Sequence, residues 1–154
     1  METKAKGRTA IRTAAVCFML SAVLELLDIT TPVPLLGGMR SGIAAVGYHL
    51  VFAGIFLGMG VGLWTGQPWG YGTVMAGTAV YALDKVQMLL ARRTFADFIM
   101  QQFTTPTTRE ILNLVPKELL LQVMTLAYLL LILCWSGFAL YIHLRRAYFT
   151  PGGR

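Results

Sequence analysis

The chain has 154 residues, of which 56% are hydrophobic and only 13% are charged, and its formal net charge is +6. A soluble globular protein carries about 25% charged residues because its surface is solvated, so an ordinary soluble domain is excluded. Nucleic-acid-binding proteins spread their basic residues over a solvated face, whereas this chain has long uncharged runs, so we expect no nucleic-acid partner. The composition instead predicts a single transmembrane domain over residues 1–154, with basic residues at the helix ends.

Four segments are candidates to cross a bilayer, whose core of about 30 Å needs roughly 20 helical residues. The three clearest are Ile43 to Trp64, Tyr71 to Ala91 and Leu119 to Leu144. The first, Thr13 to Asp28, is shorter and contains Glu25. It resembles a signal peptide, but acidic residues stand where a cleavage site needs small ones, so we expect a retained helix. The sequence thus predicts an all-α fold, an integral membrane four-helix transmembrane bundle with spans at about 13–28, 43–64, 71–91 and 119–144.

The connections between these spans differ in length. Pro32 and Pro34 end the first helix, and PVPLLGGMRSG predicts a tight, glycine-rich turn after it. The second connection, TGQPWG, is so short that the second and third helices must form an antiparallel hairpin. The third connection, at about 94–115, is long, and helical spacing gives it an apolar face with Phe95, Phe98, Ile99 and Phe103. It predicts short amphipathic helices lying in the membrane interface, with a plain loop as the alternative.

Glycine recurs at every fourth position from the second span into the connection after it, at Gly54, Gly58, Gly62 and Gly66. In lipid, apolar side chains gain nothing by leaving the acyl tails, and helices associate where small residues let their backbones approach. The row therefore predicts a helix-packing surface rather than a phosphate-binding loop. Two partners stay open for this surface, namely the third helix of the same chain and a second copy of the chain.

The distribution of lysine and arginine predicts the orientation. With four spans, seven basic residues share the side of the termini: Lys4, Lys6, Arg8, Arg12, Arg145, Arg146 and Arg154. Five lie on the other side: Arg40, Arg92, Arg93, Arg109 and Lys117. The positive-inside rule then predicts a multi-pass protein of the cell (inner) membrane with both termini in the cytoplasm.

Ionisable residues inside membrane spans are costly, which makes them the best indicators of function. Antiparallel alternation of the spans brings seven polar residues to one membrane face, where we expect a recess for a ligand or an ion: Glu25, Asp28, His49, Tyr81, Asp84, Lys85 and Gln122. The structural alternative is an ion-pair network in which Lys85 neutralises Glu25 or Asp84. The acidic residues and His49 lack a local pair such as ExxH, so the sequence predicts no metal site and no cofactor.

The leading functional hypothesis is a non-enzymatic membrane protein that acts by association, as a homo-oligomer or an accessory subunit. Its partners would be the lipid bilayer and either its own copies or another membrane protein, which dock on the glycine row and on Thr94 to Val115. The second hypothesis is a small transporter or channel for an ion or cationic solute that uses the embedded carboxylates. The third is a membrane enzyme acting on a lipid or other amphiphile. We predict no catalytic residue, because no serine has an evident base beside it.

Overall fold

The computed structural model describes residues 3–102 and 115–150 of the chain, and side chains within residues 7–101 and 115–150. These parts are almost entirely helical, which confirms the predicted all-helical character. A two-stranded sheet and a short 3-10 helix complete the described structure. In chain order the elements are α1 (Thr3–Leu27), β1 (Val33–Leu35), β2 (Gly38–Arg40), α2 (Ile43–Thr65), α3 (Pro68–Leu90), α4 (Arg92–Gln102), α5 (Lys117–Leu144) and η1 (Arg146–Phe149).

Three helices are long and apolar enough to cross a membrane by themselves, namely Gly7–Leu27 of α1, α2 and α5. The helix α3 meets the same criterion only together with α4, and these two helices are bent by 99° at their junction. The described chain therefore has three candidate spans, or four if the bent pair counts as one. Long apolar helices of this kind are compatible with a membrane protein.

Some element boundaries differ from the sequence prediction. The helix α1 begins at Thr3 rather than near Thr13, because the basic segment METKAKGRTAIR is rich in alanine, lysine and arginine, which favour helix. The third connection starts with α4, as an amphipathic helix, but the second predicted helix falls largely on residues 103–114, outside the described residues. Between α1 and α2 the chain forms a β-hairpin where the sequence predicted only a turn.

This hairpin, Val33–Arg40, has an unusual turn. Its strands pair antiparallel with Leu35 opposite Gly38, so Leu36 and Gly37 form a two-residue turn. Both turn residues have positive φ, 51° at Leu36 and 75° at Gly37, as such tight hairpins require. Glycine adopts this conformation freely, whereas a leucine is strained there. The backbone at Leu36 therefore needs support from the surrounding structure.

Side chains from the four long helices and from η1 form the main part of the core. Near the termini the buried cluster draws on α1, α2, α3, α5 and η1, with Ile11, Ala15, Met59, Leu63, Val74, Ile142 and Phe149. Further along the helices the core is aromatic, and Tyr81 of α3 stacks on Trp135 of α5 with ring centroids 3.9 Å apart. Phe52 and Phe56 of α2 complete this layer. The layer brings α2, α3 and α5 together directly below the polar ends of the helices.

The helix α4 uses its apolar face inside the protein. Phe95 and Ile99 are buried together with Met88 of α3. Side chains of α5 pack on this cluster, namely Leu120, Leu121, Met124 and Tyr128. The face that the sequence predicts for contact with lipid is thus largely covered by the protein's own helices over the described part of α4.

The four glycines of the row have different surroundings. A Cβ atom on Gly62 would lie 2.5 Å from Cα of Gly70, so α2 and α3 touch backbone to backbone there. A Cβ on Gly58 would lie 3.2 Å from a threonine methyl group of α3. Gly66 is the left-handed C-cap of α2, with φ 60°, and Gly54 has no atom within 4 Å of the added Cβ. Two glycines of the row therefore contact α3 within the same chain.

A glycine outside the row makes an equally close contact with α1. A Cβ on Gly60 would lie 2.7 Å from Cγ of Met19 and 2.9 Å from the carbonyl oxygen of Ala15. Since Gly60 lies on another face of α2 than Gly62, small residues bring two neighbouring helices close to α2 at once. The every-fourth pattern alone does not reveal this second contact.

We expect Gly62→Ala to lower the free energy of unfolding by about 1–3 kcal/mol, because the new methyl group would collide with the backbone of Gly70. Gly54→Ala is the matched control on the same helix, and it should be neutral or slightly stabilising. Reversible unfolding of both variants in mixed micelles measures the difference. A larger loss for Gly54→Ala than for Gly62→Ala would contradict the intrachain contact.

Candidate functional site

The end of α1 and the start of α2 are joined by a polar pair. Nδ1 of His49 lies 2.7 Å from Oε2 of Glu25, and Nε2 of His49 lies 3.1 Å from the carbonyl oxygen of Thr31. His49 is buried, and the side chain of Glu25 is 24% exposed. The imidazole ring thus links α1 to the segment that leads into the hairpin.

A second polar group lies beside it on α2 and α3. Asp84 accepts hydrogen bonds from the hydroxyl group of Tyr48 at 2.9 Å and from the ammonium group of Lys85 at 2.8 Å. The ammonium group also lies 5.0 Å from the ring centre of Tyr81 and 5.9 Å from that of Phe52, where the aromatic faces attract a cation. The buried carboxylate therefore has its counter-charge held in place beside it.

These two groups form one rim cluster, which we define as Glu25, Tyr48, His49, Asp84 and Lys85. Tyr48 and His49 are neighbours in sequence, and their rings lie 5.6 Å apart between centroids. Because successive residues of a helix point in different directions, Tyr48 bonds α3 while His49 bonds α1. The start of α2 thus connects both polar groups.

The side chain of Gln87 attaches the hairpin to α3. Nε2 of Gln87 donates a hydrogen bond of 3.1 Å to the carbonyl oxygen of Pro34, and its Oε1 accepts one of 3.0 Å from the backbone N–H of Leu36. The amide therefore bonds both sides of the turn, and one of its bonds holds the strained Leu36. Together with His49, which bonds Thr31 just before β1, it fixes the hairpin to the helices.

A groove of about 510 Å³ lies between the hairpin, α2 and α3. It is lined mainly by apolar side chains, with Tyr48, Asp84 and Gln87 as its polar groups. The complete lining is Leu35, Leu36, Gly47, Tyr48, Val51, Phe52, Val80, Leu83, Asp84 and Gln87. Several of these are exposed on the outer surface of the helices, including Val51 at 57% and Leu83 at 69%, so the groove opens sideways.

Asp84 is the charged residue of this lining, and only 9% of its surface is exposed. Both of its hydrogen bonds end on the same oxygen, Oδ2. Among the described residues, Oδ1 has no hydrogen-bond donor. A carboxylate oxygen accepts hydrogen bonds from hydroxyl or ammonium groups, so this atom can bind the polar end of a ligand in the groove.

The residues that the sequence predicts for the recess do not all meet. In the structure Glu25 contacts His49, and Tyr81 lies beside Lys85. The sequence left Glu25 and Asp84 open as ion-pair partners of Lys85, and the structure pairs Lys85 with Asp84. The other two predicted residues, Asp28 and Gln122, are exposed, and neither side chain has a hydrogen-bond partner among the described residues. Within the same residues, no group of three side chains is arranged to hold a metal ion.

The sequence prediction of the recess lacks two residues that matter for its geometry, Tyr48 and Gln87. Tyr48 is the sequence neighbour of His49, and a polar residue beside a histidine in an apolar segment is a signal that could have identified it as part of the recess. Gln87 falls one turn beyond Asp84, but its function depends on the hairpin, whose fold is not evident in the sequence. The chain matches no protein-family model, no curated protein and no solved structure. Its function is therefore inferred from the geometry of the site.

We expect Lys85→Met to lower the free energy of unfolding by about 3 kcal/mol, because it leaves the buried charge of Asp84 without its partner. The double variant Asp84→Asn/Lys85→Met should recover much of this loss, since the unpaired charge is gone. Lys117→Met, at an exposed position, is the control. Denaturation in mixed micelles measures all three. Equal losses for the single and double variants would show that the pair is not responsible.

Proposed function

We propose that the chain is an integral membrane protein whose four helices α1, α2, α3 and α5 cross the bilayer as a bundle. The short turn between α2 and α3, which contains Gln67, supports α3 as the third span, because it returns the chain antiparallel to α2. The 99° bend after α3 supports α4 as a helix that runs along the membrane surface. With both termini in the cytoplasm, the rim cluster faces the opposite side of the cell membrane.

Within this frame, we propose that the protein binds an amphiphile in the groove. The apolar chain of the ligand lies along the groove, and its head donates a hydrogen bond to Oδ1 of Asp84. The single observation that carries this proposal is a nine-tenths buried carboxylate with a free oxygen in an otherwise apolar groove. Oδ1 itself keeps solvent-accessible surface, and in an apolar groove an accessible acceptor favours a ligand that supplies a donor.

The shape of the groove supports an amphiphile rather than a water-soluble ion. Its volume lies within the roughly 300–1,000 Å³ of typical small-molecule sites. Its opening lies between exposed apolar residues such as Val51 and Leu83, which face lipid in a membrane-spanning chain. A ligand dissolved in the bilayer therefore reaches the groove sideways without crossing water.

The lining supports binding more than a chemical step. It contains no serine, threonine, cysteine or histidine, and the hydroxyl group of Tyr48 is bonded to Asp84. Association with a second copy or an accessory partner stays a prediction. It would need a surface other than Gly58 and Gly62, which contact α3.

Cysteine labelling tests the four spans and their orientation. In a background with Cys17→Ala and Cys134→Ala, we expect Ser41→Cys to react with a membrane-impermeant maleimide in intact cells. Gln67→Cys should react only after permeabilisation, because the turn between α2 and α3 lies on the cytoplasmic side. Reaction of both on the same side would contradict the four spans, and the reverse pattern would contradict only the orientation.

Photocrosslinking in lipid nanodiscs tests amphiphile binding. The probe is a long-chain primary amine with a photoreactive group in mid-chain, and we expect it to label peptides that contain Val51 or Leu83. Gly47→Leu should lower the yield about tenfold, since an added Cβ has no atom within 4 Å and the longer side chain would extend into the groove. Gly54→Leu, on the same helix in equally open surroundings outside the groove, is the matched control.

The head group is tested with Asp84→Asn and with a methyl ester probe of the same chain length. We expect the ester to label weakly, because it has no donor for Oδ1. Asp97→Asn, an exposed carboxylate on α4, should leave labelling by the amine unchanged. Labelling that is insensitive to both Gly47→Leu and Asp84→Asn would overturn the proposed function.

A further inference from the structure

The bonds around His49 determine where its protons lie. The carbonyl oxygen of Thr31 can only accept, so Nε2 of His49, at 3.1 Å, must carry a hydrogen. In neutral histidine the other nitrogen, Nδ1, then has a lone pair and no hydrogen. An ionised Glu25 also has only lone pairs to present. A contact of 2.7 Å between Nδ1 and Oε2 therefore requires a proton between them.

From this geometry we propose that Glu25 and His49 form a proton-binding site, and that its proton holds the hairpin against the groove. With the proton bound, the pair is a carboxylate and an imidazolium, or the equivalent neutral acid and neutral ring. When the proton leaves, neutral His49 has one N–H for two acceptors, so it cannot bond both Glu25 and Thr31. The bond to the ionised carboxylate of Glu25 is the stronger one, so the bond to Thr31 is lost and the hairpin loses one attachment.

The bound proton sets the net charge of the pair. With it, Glu25 and His49 sum to zero, as Asp84 and Lys85 do beside them. Without it, the pair carries one negative charge. Among the described residues, His49 alone forms a salt bridge with Glu25. The other ionisable groups on the described elements at this end of the helices are Asp28, Arg40, Tyr48, Tyr81, Asp84, Lys85, Arg92, Arg93, Asp97, Lys117, Glu118 and Tyr128.

The hairpin then links proton binding to the ligand site. It contributes Leu35 and Leu36 to the groove lining. The positive φ of Leu36 stores backbone strain, which its bond to Gln87 opposes. Loss of the second attachment, at Thr31, favours release of the strained turn and a wider groove. This step rests on the proposed function of the groove, whereas the proton site itself does not.

Hydrogen exchange in nanodiscs tests the proton site without any ligand. After correction for intrinsic exchange, we expect protection of the Leu36 amide to fall about tenfold between about pH 5.5 and about pH 8.5 in the natural chain. In Glu25→Gln, the side-chain amide donates to Nδ1 of neutral His49, so both bonds persist without an added proton. Protection in this variant should stay high at both pH values.

Two further variants complete the test. His49→Phe removes both bonds, so protection should be low at both pH values. Asp28→Asn removes a neighbouring exposed carboxylate and should keep the pH response of the natural chain. Exchange of amides within α2 and α3 reports whether each variant is folded. If His49→Phe does not fold, Glu25→Gln decides the question alone.

Each outcome supports or overturns the proposal. No pH response in the natural chain, or an unchanged response in Glu25→Gln, overturns the proton site. Crosslinking of the amine probe at the same pH values tests ligand binding in the groove separately from the proton site. A hairpin response without any probe binding leaves the proton site standing and rejects the ligand. Probe binding that does not follow the hairpin response rejects the coupling between them.

Discussion

Neutralisation of charge in an apolar environment is the constraint on which this structure depends. A charge that is removed from water needs a partner within a few ångströms, and here Lys85 lies beside Asp84 while the imidazole of His49 bonds Glu25. The pair of Glu25 and His49 connects α1 with α2, and on α3 the ammonium group of Lys85 lies beside the carboxylate of Asp84. The hydroxyl group of Tyr48 joins α2 to α3 through its bond to Asp84. The polar end of the molecule is therefore held by specific bonds, in contrast to the non-directional packing of its apolar layers.

Close backbone contacts make these polar bonds possible. Gly62 against Gly70 brings α2 and α3 together at one end, and Gly60 against Ala15 does the same for α1 and α2. Because helices are stiff, such contacts determine how far apart the opposite ends lie. The aromatic layer between them, with Tyr81 stacked on Trp135, fills the remaining space and supports the ring face that attracts Lys85. Small residues and large rings thus have complementary roles in positioning the rim cluster.

The hairpin combines these features in one element. Its turn is strained at Leu36, and it is held by Gln87 on α3 and by His49 through Thr31. It also forms one wall of the groove that contains Asp84. Val33 of the hairpin is buried and α4 packs against both strands, so the polar bonds add to this packing and oppose the strain at Leu36. Ligand binding and proton binding, as proposed, both act on this wall.

The sequence by itself determined the helical class and the presence of long apolar helices, because hydropathy is a property of local segments. It also indicated helix packing at the glycines and a charge partner for Lys85. Only the tertiary structure decided that Gly62 contacts Gly70 while Gly54 is open, and that Lys85 pairs with Asp84 rather than Glu25. These choices depend on the rotation of each helix about its axis, which contacts distant in sequence determine. The hairpin and its groove required the same information, since Gln87 joins residues more than fifty positions away.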